Sequence, residues 1–448
     1  MRKYLVIFAA LLLAASVQAQ SFQQAFFLDG YRLGYRYNPA LQNQDSFLSI
    51  GQYESQIRNN FGAASFLYPR ENNWTVTAFH STVPAEKFLG SLPDQSYFNG
   101  SISYNLVSYG WRKDAAYHTL EVNARAFYMA SIPKDIFSIL KQGTGAVNYS
   151  LGGLGVGGNA LVEVAYGYSR KLSDIVSVGA RVKLMAGIDA LNYQVTRFDL
   201  TLSEEEYRAQ VEANLDLTSR WKKMRTDEEG YLSLLNLSAK DRWKLPSGAG
   251  LAVDLGVVVT PLEGLSLSAS IVDLGGMLWY YGNAGKSWGI TYFTGMEDLS
   301  LEEIQSGSIK DQFSDELDAL LGSLKIKPGS RTALGLIPFN VNLAARYELP
   351  AYRPLSIGAT GNYINMKGMD YMEARGVLAW NPWEWLGVTA NAGAGTHGAV
   401  WGAALNAGYR NFRVTVGYSD GFGGTILYTS TPLKPNNKMV TFGLTYDL

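Results

Sequence analysis

The sequence predicts an all-β protein, namely an antiparallel transmembrane β-barrel of about 14 strands with an N-terminal plug and long extracellular loops containing short helices. Segments of about 9–12 residues alternate aliphatic with polar side chains, which is the length a tilted strand needs to cross an outer membrane. Short and long connections follow one another along the chain. After the N-terminal segment, no apolar stretch approaches the roughly 20 residues of a transmembrane helix, so a spanning structure must be a closed barrel.

Residues 1–19 are predicted to be a secretory signal peptide. Arg2 and Lys3 precede an apolar run over residues 4–15, and Val17-Gln18-Ala19 offers a small-residue cleavage site. The chain has no cysteine, which excludes a disulfide framework, a thiolate metal site and a lipid anchor through cysteine. We therefore expect export to the outer membrane of a Gram-negative bacterium.

Residues 20–44 are predicted to form a plug, or hatch, ahead of the barrel. The segment is rich in aromatic residues and ends in Asn38-Pro39-Ala40. Pro39 fixes its own φ and biases Asn38 toward extended conformations, so this is a stiff turn and not a strand. The alternative is an ordinary lead-in to the first barrel strand.

Residues 45–448 are assigned to the barrel, and residues 176–186 show its pattern best. Aliphatic residues occupy every second position, whereas Arg181 and Lys183 fall on the opposite face. A soluble sandwich would bury the aliphatic row, but a membrane barrel turns it toward lipid. The same pattern recurs along the chain and predicts a set of lumen-lining charges: Glu121, Arg125, Glu163, Arg181, Lys183, Arg346, Glu373, Arg375 and Arg413.

These charges cannot all face lipid, because each Lys or Arg there would cost about 2–4 kcal/mol near the bilayer midplane. Two interpretations of a lumen position remain. The charges pair with one another, brace the strands and hold the plug, or they form a selectivity lining for an anionic solute. The mixture of signs favours a braced, plugged interior.

The connections fall into two classes. The tight ones are expected to be periplasmic turns and comprise residues 171–174, 261–264, 349–354, 381–384 and 410–411. The long ones are expected to be extracellular and comprise residues 197–246, with a helical stretch over 203–217, and residues 280–330, with an acidic amphipathic piece over 314–321.

Aromatic residues beside the tight turns predict a girdle at the membrane boundary, namely Tyr347, Trp380, Trp383, Trp385 and Tyr446. Residues 439–448 alternate and are predicted to be the terminal strand, although the chain ends in Leu448 instead of an aromatic residue.

Other functional classes find little support. Residues 153–158 match G-x-G-x-x-G, but a strand follows them where a dinucleotide site needs a helix. His80, His118 and His397 are scattered and mark neither a metal site nor a catalytic triad. The net charge of −1 does not favour nucleic-acid binding. We expect no cofactor, no metal and no enzymatic activity.

Four stretches carry a family resemblance: residues 35–40, 132–137, 178–183 and 270–275. With its Asn38-Pro39-Ala40 turn, the chain resembles the FadL-type long-chain fatty-acid transporters and, more closely, a FadL/PorV-like outer-membrane family of the Bacteroidota. The FadL resemblance implies a hatch-plugged barrel, diffusion of a hydrophobic ligand from outside and exit to the membrane through a gap in the wall. The PorV-like resemblance implies a role in protein secretion, by shuttling or docking cargo.

Two functions follow from these expectations. The first is passive uptake of a hydrophobic or amphipathic small molecule by a monomer surrounded by outer-membrane lipid. The alternative is a non-transporting scaffold or shuttle partner in a surface-protein or secretion complex.

Overall fold

The computed structural model describes residues 22–70, 74–142, 148–202, 207–219, 222–239, 246–292, 326–366, 369–421, 425–426, 431–432 and 434–448. The predicted signal peptide and the amphipathic piece over residues 314–321 lie outside these ranges.

In the described part of the chain, fourteen strands form the barrel. They are β1 (Phe47–Asn59), β2 (Gln95–Lys113), β3 (Ala116–Pro133), β4 (Gly155–Lys171), β5 (Val176–Leu202), β6 (Gly248–Leu262), β7 (Leu265–Tyr292), β8 (Phe339–Glu348), β9 (Leu355–Asn365), β10 (Tyr371–Trp383), β11 (Leu386–Gly395), β12 (Gly398–Tyr409), β13 (Phe412–Gly421) and β14 (Asn436–Asp447). This confirms the predicted fold class and strand number.

Shorter elements are not part of this ring of fourteen strands. The helices are α1 (Ala85–Gly90), α2 (Lys134–Gln142) and the 3-10 helices Gln23–Phe26, Gly34–Arg36 and Ala63–Phe66. The additional strands are Leu67–Pro69, Thr75–Thr77, Asn148–Ser150, Tyr207–Thr218, Lys222–Thr226, Leu232–Ala239, Gly329–Leu336, Thr425–Ile426 and Thr431–Pro432.

The topology is a closed meander. Each barrel strand pairs antiparallel with the next one in sequence, as β5 does with β6 and β7 with β8. The ring closes between β14 and β1, where Phe47 lies opposite Asp447. Closure pairs the backbone groups of every barrel strand on both sides, which is the condition for crossing hydrocarbon with strands.

The two faces of the wall differ in polarity because side chains alternate along each strand. In β5, Arg181 and Lys183 are buried in the interior, whereas Val182 and Leu184 point outward and are exposed. The same alternation runs along β10 without interruption. The outer surface is therefore apolar and the interior polar, the reverse of a soluble β-sandwich.

One end of the barrel, called here the tight-turn end, carries short connections over residues 114–115, 172–175, 263–264, 349–354, 384–385 and 410–411. Aromatic rings surround it on the outside. The rings of Trp383 and Trp385 stack 5.1 Å apart, and Trp111 stacks on His118 with ring centroids 5.3 Å apart. These rings form a belt around this end of the wall.

The opposite, long-loop end corrects the predicted helix over residues 203–217. A strand, Tyr207–Thr218, occupies most of that stretch and pairs with both β5 and β7. Ala209, Val211, Ala213 and Leu215 are all buried. They recur with a period of two, which fits a strand and not a helix.

The two long connections also begin later than predicted. Residues 197 and 280 lie inside strands, because β5 runs for 27 residues and β7 for 28 residues. Strand Tyr207–Thr218 supplies backbone partners to both extensions, so this side of the barrel wall is tall.

The strict alternation of short and long connections is also wrong on the other side of the barrel. Residues 396 and 397 alone join β11 to β12 at the long-loop end. Gly398 follows with φ +104°, a conformation that favours glycine and permits such a tight hairpin. The rim is therefore low here and high along β5 and β7.

Candidate functional site: the plugged lumen

Residues 22–41 lie inside the barrel and fill its tight-turn half. The side chains of Phe22, Phe27, Tyr35 and Tyr37 are almost completely buried and form the largest core cluster together with wall residues. Phe22 packs edge-on against Tyr31, with ring centroids 5.4 Å apart. We call this segment the plug.

The turn Asn38-Pro39-Ala40 attaches the plug to the wall. The Ala40 N–H donates to Asn38 Oδ1 (2.9 Å), which closes the turn. Asn38 Nδ2 donates to Ser268 Oγ (2.9 Å) and to the carbonyl oxygen of Val257 (3.1 Å). One asparagine thus bonds to two neighbouring strands, β6 and β7.

Two glycines on the inner face make room for this turn. A Cβ on Gly256 would overlap Asn38 Oδ1, and a Cβ on Gly179 would overlap the backbone of Pro39. Both positions therefore need a residue without a side chain if the turn is to approach the wall so closely.

Beside this turn, wall charges pair inside the barrel. Arg181 Nη1 lies 2.8 Å from Asp254, and Lys183 Nζ lies 2.9 Å from Asp254 and 2.6 Å from Asp273. Asp273 has φ +67°, rare for a residue other than glycine, and its N–H donates to the Asp254 carboxylate (2.8 Å). The paired charges thereby hold an unusual backbone conformation in β7.

The network continues through Arg125. Its guanidinium contacts Asp273 (2.8 Å) and Glu163 (2.8 Å). Asn123 Nδ2 then bridges the two glutamates, donating to Glu163 (2.8 Å) and to Glu121 (3.0 Å). Glu121 also pairs with Arg181, which closes the circuit.

The same network reaches the plug. Arg36, fully buried, lies 3.6 Å from Glu54 and 3.7 Å from Glu121. The Tyr35 hydroxyl donates to Glu121 (2.9 Å), and the Arg181 guanidinium lies 5.2 Å from the Tyr35 ring centroid. The wall charges therefore bind plug side chains directly.

Burial sets the protonation of the plug residues. It raises the pKa of Tyr31 and of Tyr37, and the nearby Glu54 carboxylate raises both further. For Arg36, burial acts to lower the pKa, but the negative charge of the nearby Glu54 carboxylate opposes it and the pKa is raised. The tyrosines therefore stay neutral and Arg36 stays charged.

Two predicted arginines lie at the tight-turn end. Arg346 makes a bidentate contact with Asp29 of the plug (2.6 and 2.9 Å). Arg413 bonds to Asp447 (2.6 Å), the carboxylate that Arg32 of the plug also contacts (2.7 Å). These ion pairs hold the plug at the tight-turn end of the barrel.

Glu373 and Arg375 form a separate pair on β10, 2.8 Å apart. Arg375 also donates to Asn391 (2.9 Å) and Ser419 (2.6 Å). The structure therefore divides the nine predicted charges into three groups: the network at the plug turn, the anchors at the tight-turn end and this pair.

A groove of about 500 Å³ crosses the outer face of β6 to β9. Two cross-strand rows of outward side chains, many of them small, line it, and Ser268, Ala344 and Thr360 contribute from the row between. The groove is lined by Val257, Val259, Leu267, Ser268, Ala269, Leu343, Ala344, Ala345, Ala359, Thr360 and Gly361. Because Asn38 bonds to Ser268 from inside, a single layer of strand separates the plug turn from the groove.

A family model described as a family of unknown function, DUF5723, matches residues 39–419, from the plug turn into β13. The chain belongs to DUF5723. No curated protein matches the sequence of this DUF5723 chain.

Solved barrels resemble the DUF5723 chain over nearly its whole length. A FadL homologue of Pseudomonas aeruginosa is 12% identical, with a TM-score of 0.47, covering 97% of this chain and 98% of that one. The toluene transporter TodX of P. putida is 8% identical (TM-score 0.41; 96% and 95% covered). The toluene transporter TbuX of Ralstonia pickettii is 7% identical (TM-score 0.45; 93% of each chain covered).

Sequence reasoning missed several members of the network in this DUF5723 chain. Asp254 follows the alternating run Leu251-Ala252-Val253, so a carboxylate on its inner face could have been found. Arg36 and Glu54 carry no such signal. Arg36 lies in a segment without strand periodicity, and Glu54 lies among polar residues.

The three histidines of the DUF5723 chain lie apart. His80 contacts Thr82, His118 stacks on the outer belt, and His397 lies 3.2 Å from the Tyr97 hydroxyl. Within the described ranges, no group of three or more His, Cys, Asp or Glu side chains could hold a metal ion. No helix in those ranges is long and apolar enough to cross a membrane.

Proposed function

We propose that this protein is an outer-membrane channel for passive uptake of a hydrophobic or amphipathic small molecule. The observation that carries the proposal is the plug turn of Asn38, bonded to Ser268 at the back of the groove in the outer wall. The apolar outer surface supports a membrane position, with the tight-turn end facing the periplasm and the long-loop end facing outside.

In this proposal a molecule enters the lumen from outside, moves beside the plug and leaves sideways into the lipid at the groove. The wall must open there for the molecule to pass, because β6 to β9 are paired continuously behind the groove. The groove suits such a route because many of the side chains that line it are small and because it exposes little polar surface. The lumen-lining charges hold the plug in register while the molecule passes.

The test compares two glycine-to-tryptophan variants on the outer wall. Gly361→Trp fills the groove, and Gly376→Trp adds the same bulk elsewhere on the outer face. A Cβ at either glycine has its nearest neighbour at 3.9 Å, so both variants are expected to fold.

Purified protein in liposomes should take up an apolar fluorescent reporter. We expect the Gly361→Trp variant to lose most of this uptake and the Gly376→Trp variant to retain it. Equal uptake by the two variants would refute exit through the groove. No uptake above that of protein-free liposomes would refute the channel itself.

A second candidate is a scaffold or shuttle role in a surface-protein or secretion complex, as in PorV-like barrels of the Bacteroidota. The observation that favours it is the tall wall of β5 and β7, because a strand needs only about 9–11 residues to cross the membrane. Affinity purification after crosslinking in native membranes should then recover a stoichiometric protein partner. Recovery of the barrel alone would count against this role.

A further inference from the structure

Arg58 is a buried arginine that has no ion-pair partner in the described part of the chain. It lies near the long-loop end of β1, and its side chain has no exposed surface. Among the described residues, neither Nε nor Nη2 has a hydrogen-bond partner, and no carboxylate lies within 4.0 Å of the guanidinium. A buried cation in this state costs stability, so it needs an explanation other than bracing.

The atoms that do touch Arg58 are poor substitutes for an oxyanion. Nη1 lies 3.9 Å from Met366 Sδ, and the guanidinium carbon lies 4.9 Å from the Tyr371 ring centroid. Opposite Arg58 in the ladder, Asn99 Nδ2 lies 3.8 Å from Met369 Sδ. Thioether sulfur is a weak acceptor, so an anionic oxygen would bind both donors better.

The charge of the Glu373 carboxylate acts on Arg58, but the carboxylate lies beyond ion-pair distance from the guanidinium. Its Oε1 has no hydrogen-bond partner among the described residues, whereas its Oε2 is occupied. Glu373 accepts hydrogen bonds from Arg375 (2.8 Å), Tyr371 (2.9 Å) and Asn437 (3.1 Å). The Glu373–Arg375 pair is neutral as a unit, so it leaves the charge of Arg58 uncompensated. The charge of one bound anion would therefore balance that of Arg58 in this part of the lumen.

Met366 and Tyr371, which contact the guanidinium, belong to an apolar cluster. Ile364, Met366, Met369 and Tyr371 form one buried cluster. Methionine side chains are flexible and repack readily around a ligand. The cluster lies beneath the low rim, where His397 stacks near Tyr371 with ring centroids 5.3 Å apart.

We propose that Arg58 binds the oxyanion head group of an amphipathic molecule that enters at the low rim. The anion takes the positions that the two methionine sulfurs hold beside Arg58 and Asn99. The apolar body of the molecule lies against the methionine cluster. This proposal rests on the proposed uptake function and names the class of molecule: an apolar body carrying one anionic group.

Binding to the full-length protein in nanodiscs tests it, with empty nanodiscs subtracted for partition into lipid. The probes are decane-1-sulfonate, which is charged at any ordinary pH, and decan-1-ol, which has the same apolar body without charge. The variant is Arg58→Gln, and the control is Arg353→Gln, at an exposed ion pair on a tight turn.

We expect Arg58→Gln to weaken sulfonate binding about tenfold or more, because charge-assisted hydrogen bonds are lost. Binding of decan-1-ol should stay within twofold, and Arg353→Gln should change neither. Equal sulfonate binding by wild type and Arg58→Gln would refute the anion site. If decan-1-ol still binds, the proposed uptake function survives that failure; if wild type binds neither probe, both proposals fail.

The unfolding midpoint provides a second test, because a bracing role for Arg58 predicts the opposite change. Arg58→Met removes an uncompensated buried cation, so the midpoint of urea unfolding should rise while sulfonate binding falls. A lower midpoint would show that Arg58 braces the fold and would overturn the proposal.

Discussion

Asn38 Nδ2 donates a 2.9 Å hydrogen bond to Ser268 Oγ, which joins the plug to the strand that backs the outer groove. The same amide group reaches the carbonyl oxygen of Val257 on the adjacent strand. The plug is therefore held to the wall directly behind the outer groove. Displacement of the plug turn would break its hydrogen bonds to the wall and would also widen the lumen.

Substitution of Gly256 should displace the plug turn. In Gly256→Ala the new methyl group overlaps Asn38 Oδ1, so the turn must leave the wall or distort it. We expect faster proteolysis of the plug and a higher conductance in planar bilayers. Gly376→Ala, where the nearest atom lies at 3.9 Å, should behave as wild type. Identical proteolysis of both variants would show that the turn does not need this glycine.

Neutralising Asp273 should destabilise the barrel strongly. In Asp273→Asn, Arg125 and Lys183 lose a shared carboxylate while remaining buried. Loss of one partner from such a buried ion pair costs about 3–5 kcal/mol. Urea unfolding in liposomes, followed by tryptophan fluorescence, measures the change.

The control for that experiment is Arg353→Gln, which breaks the exposed pair with Glu263. Exposed pairs contribute about 0–1 kcal/mol, so its unfolding midpoint should hardly move. If Asp273→Asn cost no more than Arg353→Gln, the buried network would not brace the barrel.

The alternation of apolar and polar residues in the sequence was enough to predict most of the fold. The alternation around Arg181 and Lys183 predicted that both side chains share one face of the strand. Because a charge costs far less free energy in the lumen than against lipid, that face was predicted to line the lumen. The strand Tyr207–Thr218 was missed although Ala209, Val211 and Ala213 alternate there, because the charged residues of the segment suggested a helical loop.

The candidate site was harder to predict for a physical reason. The partners of Arg181 and Lys183 come from β6 and β7, and from a plug residue that lies beside them only after the barrel closes. Sequence periodicity gives the face of each residue but not the register between distant strands. The state of Arg58 likewise depends on a carboxylate that pairs with Arg375 and lies beyond ion-pair distance from Arg58, which only the folded structure reveals.

A charge on the outer wall should cost far more than an equally exposed charge outside the bilayer. Leu184 on β5 is 59% exposed and Leu140 on α2 is 58% exposed. We expect Leu184→Arg to cost about 2–4 kcal/mol and to impair membrane insertion. Leu140→Arg should stay within about 0.5 kcal/mol of wild type. If both substitutions changed the free energy of unfolding equally, the side chains of Leu184 and Leu140 would both lie in water.

His397 gives the barrel a pH dependence. Burial, and next the charge of Arg58, lower its pKa to about 4 from an ordinary value of 6.5. Between these values the unfolded chain binds more protons, so the free energy of unfolding should fall as the pH drops from 6.5 toward 4. His397→Gln should flatten this window of the stability profile. A variant profile as steep as that of wild type would contradict the shift.

The most direct test of the plugged membrane barrel is a spin-label scan of β10, made simple by the absence of native cysteine. Single labels at residues 376, 378, 377 and 379 are compared in liposomes. We predict contact with lipid-dissolved oxygen at Gly376 and Leu378, and little contact with either oxygen or a water-soluble nickel complex at Val377 and Ala379, which are buried. Contact with the nickel complex at Leu378 would contradict the membrane barrel, and the same contact at Val377 and Ala379 would contradict the plug.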